Sequence, residues 1–247
     1  MKYPLVSIRM ASYNTEAYIE NAIKCVFKDL YFNKELIIVD DCSTDNTRNI
    51  IKKYKSCPFI KIIYLDKNYG NPYALNVAYE YCRGDIIAKL DSDDMQDIER
   101  ISMCVKKLEN YDLVCSKAKF LLSDGSLIEH SSMNCKLNIN KYMNLERGKP
   151  MSPSIVGWKS FYDKIGPLRE DYKKGSDGVW IVKAILNKAK WGFIDKHLYF
   201  YRIHKTQLHY QQNKFILKNI GEDPKEYSIS REIRRKLKNG EDILHML

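Results

Sequence analysis

Glu35-Leu36-Ile37-Ile38-Val39-Asp40-Asp41 decides the fold. From Glu35 to Val39 the run is rich in β-branched residues and has no polar alternation, the pattern of a parallel strand covered on both faces. It stops at two carboxylates. A short helix follows, with Thr44 or Asp45 as cap and Ile50, Ile51 and Tyr54 turned inward. Upstream, Leu5-Val6-Ser7-Ile8-Arg9-Met10 reads as a first strand. Asn14 then caps a helix whose Tyr18, Ile19, Ala22, Ile23, Val26, Phe27 and Leu30 form one apolar face. Downstream, Phe59 to Leu65 makes a third strand, closed by the turn-forming Asn68-Tyr69-Gly70-Asn71-Pro72. Ala74, Val77, Ala78, Tyr81 and Cys82 mark a helix ended by Gly84 at a C-cap position. Ile86 to Leu90 is a fourth strand, a helix carries Ile101, Val105 and Leu108, and Leu113-Val114-Cys115 is a fifth strand. This alternation predicts an α/β fold with a Rossmann-like, mostly parallel sheet flanked by helices.

Ligands of such sheets bind beyond the carboxyl ends of the strands. Ser12-Tyr13-Asn14, Asp40-Asp41 and Asp91-Ser92-Asp93 all fall at such ends, so residues far apart in sequence converge on one rim. Leu90-Asp91-Ser92-Asp93-Asp94 is the most telling cluster. Carboxylates this close repel one another, and a divalent cation such as Mg²⁺ or Mn²⁺ relieves the conflict by taking hard oxygen ligands. The simpler alternative is an acidic turn in which Asp93 or Asp94 caps a helix beginning at Met95.

Composition narrows the class. The chain has 247 residues, is 45% hydrophobic and carries a formal net charge of +10. It contains no apolar run near the roughly 20 residues that span a bilayer. Met1-Lys2-Tyr3-Pro4 lacks the long apolar region of a signal peptide, so a cytoplasmic protein is expected, soluble or peripherally membrane-associated through its basic surface. The 7 cysteines are scattered without a Cys-x-x-Cys pair, which fits reduced core thiols better than zinc or disulfides. Lysines are dispersed, and nucleic acid is not an expected partner.

The second half is less regular. Ser123-Asp124-Gly125-Ser126 reads as a turn between short antiparallel strands, and Asn138 to Pro150 as a loop. Gly175-Ser176-Asp177-Gly178 precedes a helix with Trp180, Ile181, Ala184 and Ile185; Leu198-Tyr199-Phe200-Tyr201 is strand-like. The expected organisation is a catalytic domain over 1–210, divided into a nucleotide-binding half (1–118) and an acceptor half (119–210). A charged, partly helical tail over 211–247 completes it.

Taken in order, these segments resemble glycosyltransferase family 2. Val6 to Asn14 is similar to the family's opening strand, and Glu35 to Thr47 to its second motif. Asn68-Tyr69-Gly70 through Asn76, then Gly84-Asp85-Ile86-Ile87, leads into a D-x-D element at Asp91-Ser92-Asp93-Asp94. Tyr201-Arg202-Ile203-His204 resembles a late Tyr-Arg-x-His element. The resemblance implies the GT-A fold, with a small antiparallel element in the second half. It also implies an inverting, metal-dependent transferase that moves a sugar from a nucleotide-diphosphate sugar to an acceptor hydroxyl in glycan or polysaccharide synthesis. By the same resemblance Ala11 and Tyr13 flank the nucleobase, and Asp41 accepts a base N–H, which favours a UDP-sugar. Asp91 approaches the ribose, with Ser92 and Asn76 among the nucleotide-binding residues. Asp93 and His204 hold Mn²⁺ or Mg²⁺. Asp177 matches the Asp of the family's Glu-Asp motif and is the implied base. The acceptor is a glycan, a lipid-linked molecule or a protein, and a homo-oligomer is compatible with the reading.

Three departures from the family pattern stand out. Arg9 and Ala11 replace an apolar residue and a Pro-Thr-like pair, Leu75 stands where many members carry Arg, and Ser176 replaces the Glu beside Asp177. The Ser176 departure keeps open an alternative, a non-catalytic sugar-nucleotide-binding protein with the same fold.

Overall fold

The computed structural model describes residues 3–129, 137–143, 150–172, 175–207, 229–243 and 246. Its frame is one nine-stranded sheet in the order β3-β2-β1-β4-β8-β6-β9-β5, with β7 paired to β6. β1 (Val6–Ser12), β2 (Lys34–Asp40), β3 (Ile60–Tyr64) and β4 (Ile86–Lys89) are mutually parallel. Register pairs Ser12 with Asp40 and Arg9 with Lys89, so the carboxyl ends of β1, β2 and β4 open on one rim as expected.

Alternation along the strands separates two cores. Ile8, Met10, Leu36 and Ile38 face α1 (Ile19–Lys28), α2 (Thr47–Lys52) and α4 (Arg100–Leu108). Ala11, Ile37, Val39 and Ile87 face α3 (Asn71–Glu80), α6 (Lys159–Ile165) and α7 (Ser176–Leu186). Burial on both sides is why β2 shows no polar alternation.

The second half is mixed. β8 (Val156–Trp158) is wedged antiparallel between β4 and β6 (Leu113–Leu121). β9 (Trp191–Arg202) runs parallel to β6, and β5 (Met95–Gln96) runs antiparallel to β9. While β6 advances from Ser116 to Ala118, β9 advances from Ile194 to Tyr199, so the register shifts twice within that span. The turn at Ser123–Ser126 does join antiparallel strands, β6 and β7 (Leu127–Ile128). β6 also passes through the expected division at 118/119, so the two halves share one sheet.

Several local expectations are corrected. Asn14 does not cap α1, whose N-cap is Tyr18; it lies at φ 51 and ties two loops together. Leu30 is exposed, and Phe27, also outside the core, packs edge-on against Phe59 at the surface. Gly84 is not the C-cap of α3, which ends at Tyr81. A Cβ there would come within 2.5 Å of the Leu5 carbonyl, so Gly84 is dictated by close backbone approach. Met95 begins a strand, so neither Asp93 nor Asp94 caps a helix. Asn138 to Pro150 contains the helix α5 (Ile139–Met143), while 144–149 lie outside the described residues. The fifth strand is longer than expected, and so is the one holding Leu198–Tyr201.

In the tail, 211–228 lie outside the described residues, and α8 (Ile229–Lys238) supplies the expected helix. It packs beside α7, burying Ile233 in the same core, and its Arg234 lies 3.9 Å over the Tyr142 ring and donates to the Tyr142 carbonyl. Among the described residues no helix is long and apolar enough to cross a membrane.

Candidate functional site

The rim is built in two portions. In the first, the loops after β1 and β2 hold each other. The Asn14 side-chain oxygen accepts from the Thr44 amide at 2.8 Å, and the Asn14 amide donates to the Ser43 hydroxyl at 3.0 Å. Neither Thr44 nor Asp45 caps α2, whose N-cap is Asn46; Asp45 instead accepts from the Thr47 and Glu16 amides. Buried Asp40 receives Arg48 Nε and the Ser43 amide on one oxygen. Asp41, 3% exposed, accepts from the Tyr69 and Gly70 amides at 2.8 Å each, one to each oxygen. Those two bonds fix the plane of its carboxylate, and each oxygen keeps a second lone pair. Ala11 is buried at the end of β1, level with Val39, while Tyr13 is 46% exposed just beyond it. Tyr69 on the neighbouring loop stacks 4.3 Å from Tyr73 in the first turn of α3.

Asn76 does not join them. Its amide donates to the Leu168 carbonyl at 2.9 Å and the Glu170 carboxylate at 2.8 Å, and accepts from the Leu168 amide at 3.0 Å. It clasps α3 to the segment after α6.

The second portion is assembled from distant elements. Asp93 Oδ2 meets His204 Nε2 at 2.9 Å, across 111 residues of chain. His204 Nδ1 is 2.9 Å from the Thr206 hydroxyl, and its ring packs 4.4 Å from that of Tyr18. Arg202 donates from Nε to the Asp93 carbonyl at 2.7 Å and from its amide to Asp94 Oδ1 at 2.8 Å. The Tyr199 hydroxyl donates to Asp94 Oδ2 at 2.7 Å. Asp94 is thus the latch between the β4 turn and β9, and Ser92 is buried beside it. Asp91 forms an ion pair with Lys89 at 2.9 Å.

This portion carries unbalanced charge. Burial pushes the Asp91 carboxyl above the ordinary carboxylate range; Lys89 opposes the shift, while Asp93 and Asp177 add to it. Burial pushes Asp94 well above that range, and the charges of Asp93 and Asp91 push it further. Asp177 therefore belongs electrostatically to this rim. It stands in the first turn of α7, directly after Gly175 at φ 82, where the helix dipole favours a carboxylate.

A divalent cation fits these residues. Among the described residues no cluster of three His, Cys, Asp or Glu side chains could hold a metal alone. Asp93 and His204 form a pair of a hard oxygen and an imidazole nitrogen, and Thr206 fixes the far ring nitrogen, as outer-shell partners of metal-ligating histidines do. Two protein ligands plus substrate phosphates is the ordinary provision for Mg²⁺ and Mn²⁺.

Sequence reading gave no site role to Lys89, Arg100 and Tyr199, and it quoted Asp94 and Arg202 within their motifs without the latching role they have here. Buried Arg100 donates to the Lys89 carbonyl at 3.0 Å, the Pro153 carbonyl at 2.8 Å and Gln96 at 2.8 Å, fixing the end of β4. Its signal was a cation at the start of an otherwise apolar helix face.

The sequence profile described as "Glycosyl transferase family 2" matches residues 7–164. The putative teichuronic acid biosynthesis glycosyltransferase TuaG of Bacillus subtilis is 45% identical over 92 residues, 37% of this chain and 36% of that relative. The chain therefore spans little more than a third of that protein. Among solved structures, S. aureus TarS 1-349 in complex with UDP-GlcNAc superposes with TM-score 0.69 at 24% identity, covering 82% of this chain and 60% of that one. The mannosyltransferase PcManGT from Pyrobaculum calidifontis, solved with GDP-Man and Mn²⁺, gives 0.63 at 15% identity, covering 95% and 70%. Both likenesses establish the fold.

Proposed function

The chain belongs to glycosyltransferase family 2, and from that premise we propose that it transfers a sugar, with inversion, from a nucleotide-diphosphate sugar to an acceptor hydroxyl. A UDP-sugar is the favoured donor, and assembly of a cell-surface polysaccharide is the setting. The observation that carries the reading is the Asp93–His204 pair beside Asp91 and Lys89. It is a cation-ready carboxylate set on the same rim as the clamped Asp41. The relatives lend support, since TuaG is named for teichuronic acid biosynthesis and TarS has been solved with UDP-GlcNAc.

In this reading Asp93 and His204 hold Mn²⁺ or Mg²⁺, which when bound supplies positive charge to the departing diphosphate. Asp41, already oriented by the Tyr69 and Gly70 amides, accepts a base N–H with its remaining lone pairs. Exposed Tyr13 packs against the base, and Asp91 receives the ribose hydroxyls. The bond between the anomeric carbon and the β-phosphate oxygen breaks as the acceptor oxygen bonds that carbon from the opposite face. Asp177 takes the acceptor proton. The leaving diphosphate needs none.

Turnover of mass-tagged UDP-sugars, with and without Mn²⁺ and across candidate acceptors, tests the proposal. Metal-dependent appearance of UDP with sugar on the acceptor supports it. Saturable UDP-sugar binding with neither transfer nor hydrolysis would instead favour a sugar-nucleotide-binding protein.

A further inference from the structure

We propose that Arg9 anchors a second binding site, a pocket for a small oxyanion of carboxylate or phosphate size, inside the fold and away from the nucleotide rim. Arg9 lies in the middle of β1, where the family pattern has an apolar residue, and is 7% exposed. Its side chain lines a cavity of about 170 Å³ between α3, α6 and α7, whose walls include Asn76, Tyr79, Tyr162, Leu168 and Trp180. The guanidinium carbon is 5.4 Å from the centre of the Tyr162 ring and 6.0 Å from that of Tyr79. Both distances are in cation–π range, and such contacts do not take up the donors of the guanidinium's N–H edge.

That edge has no carboxylate of its own. Arg9 Nε is buried without a hydrogen-bond partner. Asp163, in the cavity lining, is paired with Lys159 at 3.0 Å and accepts from the Tyr79 hydroxyl at 2.6 Å. Glu35 on the adjacent strand is taken by Arg83 and the Ser7 hydroxyl. Burial pushes the nearby Cys82 thiol up to about 11, so it is neutral. With Asp163 held by Lys159 and Glu170 by Asn76, no carboxylate bonds the Arg9 cation in its buried wall. A cation so placed is costly unless an anion meets it. A planar, forked donor set answers a small oxyanion best, because two N–H groups can bond two oxygens at once. Tyr162 and Trp180 bring further donors, a hydroxyl and an indole N–H, to the same lining.

The site bears on α7 directly, since Trp180 lies one turn beyond Asp177 and Asn76 ties the cavity wall at Leu168 to α3. Occupancy would stiffen the helix that carries Asp177.

The test uses the full chain without divalent metal. Melting temperature is followed against sodium phosphate and against sodium acetate, with ionic strength held constant by sodium chloride. Wild type should show a saturable rise of about 5–10 °C at 100 times the dissociation constant. The better of the two salts identifies the anion class. Arg9→Met should fold and lose the rise, and Leu168→Trp, which fills the cavity with Arg9 in place, should lose it too. Anion bound on the nucleotide rim would persist in both variants. An equal rise in wild type and both variants, or no rise beyond chloride in wild type, would overturn the proposal and leave a pocket holding only water.

Discussion

The two portions of the rim carry the same residue type and treat it oppositely. Around Asp40 and Asp41, carboxylates are met by backbone amides and one arginine from nearby loops. Around Asp91 and Asp94, burial and mutual repulsion raise both carboxyls; Lys89 pairs with Asp91, and the partners of Asp94 come from β9, more than a hundred residues away. The first is fixed in orientation by those bonds, and in the proposed function Asp41 reads the base with its spare lone pairs. The second keeps unbalanced carboxylate charge, which in the proposed function a cation and an anionic substrate would complete. Preorganisation and charge storage are thus divided between neighbouring strand ends.

The sharpest way to break this division is at Asp177. Asp177→Asn keeps size and cannot accept a proton at neutral pH, so transfer should fall by roughly two to four orders of magnitude while UDP-sugar affinity survives. Near-normal turnover with a lowered melting temperature would make Asp177 a structural residue of α7.

Next in size is the metal pair. His204→Ala should weaken Mn²⁺-dependent UDP binding by about 10–100-fold in titration calorimetry and leave metal-free binding unchanged. Equal UDP affinity in excess chelator, for the wild type, would remove the metal from the late portion.

Asp41→Asn tests the early portion. One amide, of Tyr69 or Gly70, would face an NH₂ group, costing about 1–3 kcal/mol in denaturant unfolding. Discrimination among UDP, ADP and CDP in a competition assay should narrow as well. A stability loss without any change in selectivity would assign Asp41 to loop architecture alone.

The smallest effect probes the ground beneath. Asp29 accepts from Gln96 and from the Tyr31 and Ile101 amides, and Gln96 binds Arg100. Burial holds its carboxyl above the ordinary range against those bonds and the charges of Lys34 and Arg100. The native state therefore keeps this proton to higher pH than the unfolded chain. Its contribution is complete below the unfolded value of about 3.9 and fades as pH rises through the raised native value. Asp29→Asn should flatten the fall in denaturation midpoint over that window; an unchanged slope would place the titration elsewhere.

The early portion was legible in the sequence because its causes are local. β2 shows its two-sided burial in Leu36 to Val39, and the acids that follow bond to loops defined by their own turn residues. Asp93 and His204 were legible only through the ordered resemblance. Spacing alone cannot bring together residues 111 apart. β8 and β5 were invisible for a physical reason: strands of three and two residues show no periodicity, and neighbouring strands define them. Arg100 and Tyr199 were hidden because a buried polar side chain is revealed by its partners, here carbonyls on β4 and after α5 and an acid at the β4 turn.

The double register shift in β9 has a consequence for what the chain tolerates. His204 reaches Asp93 only because β9, after outrunning β6 between Ile194 and Tyr199, re-enters step with it from Tyr199 to Arg202. A pleated strand has a frame of two, so losing a single residue inside that slack inverts the facing of every side chain beyond it. The Tyr199 hydroxyl would turn away from Asp94. Insertions and deletions there should therefore be tolerated, if at all, in compensated pairs. Those in the exposed turn at Ser123–Ser126, which no such frame governs, should be accepted singly.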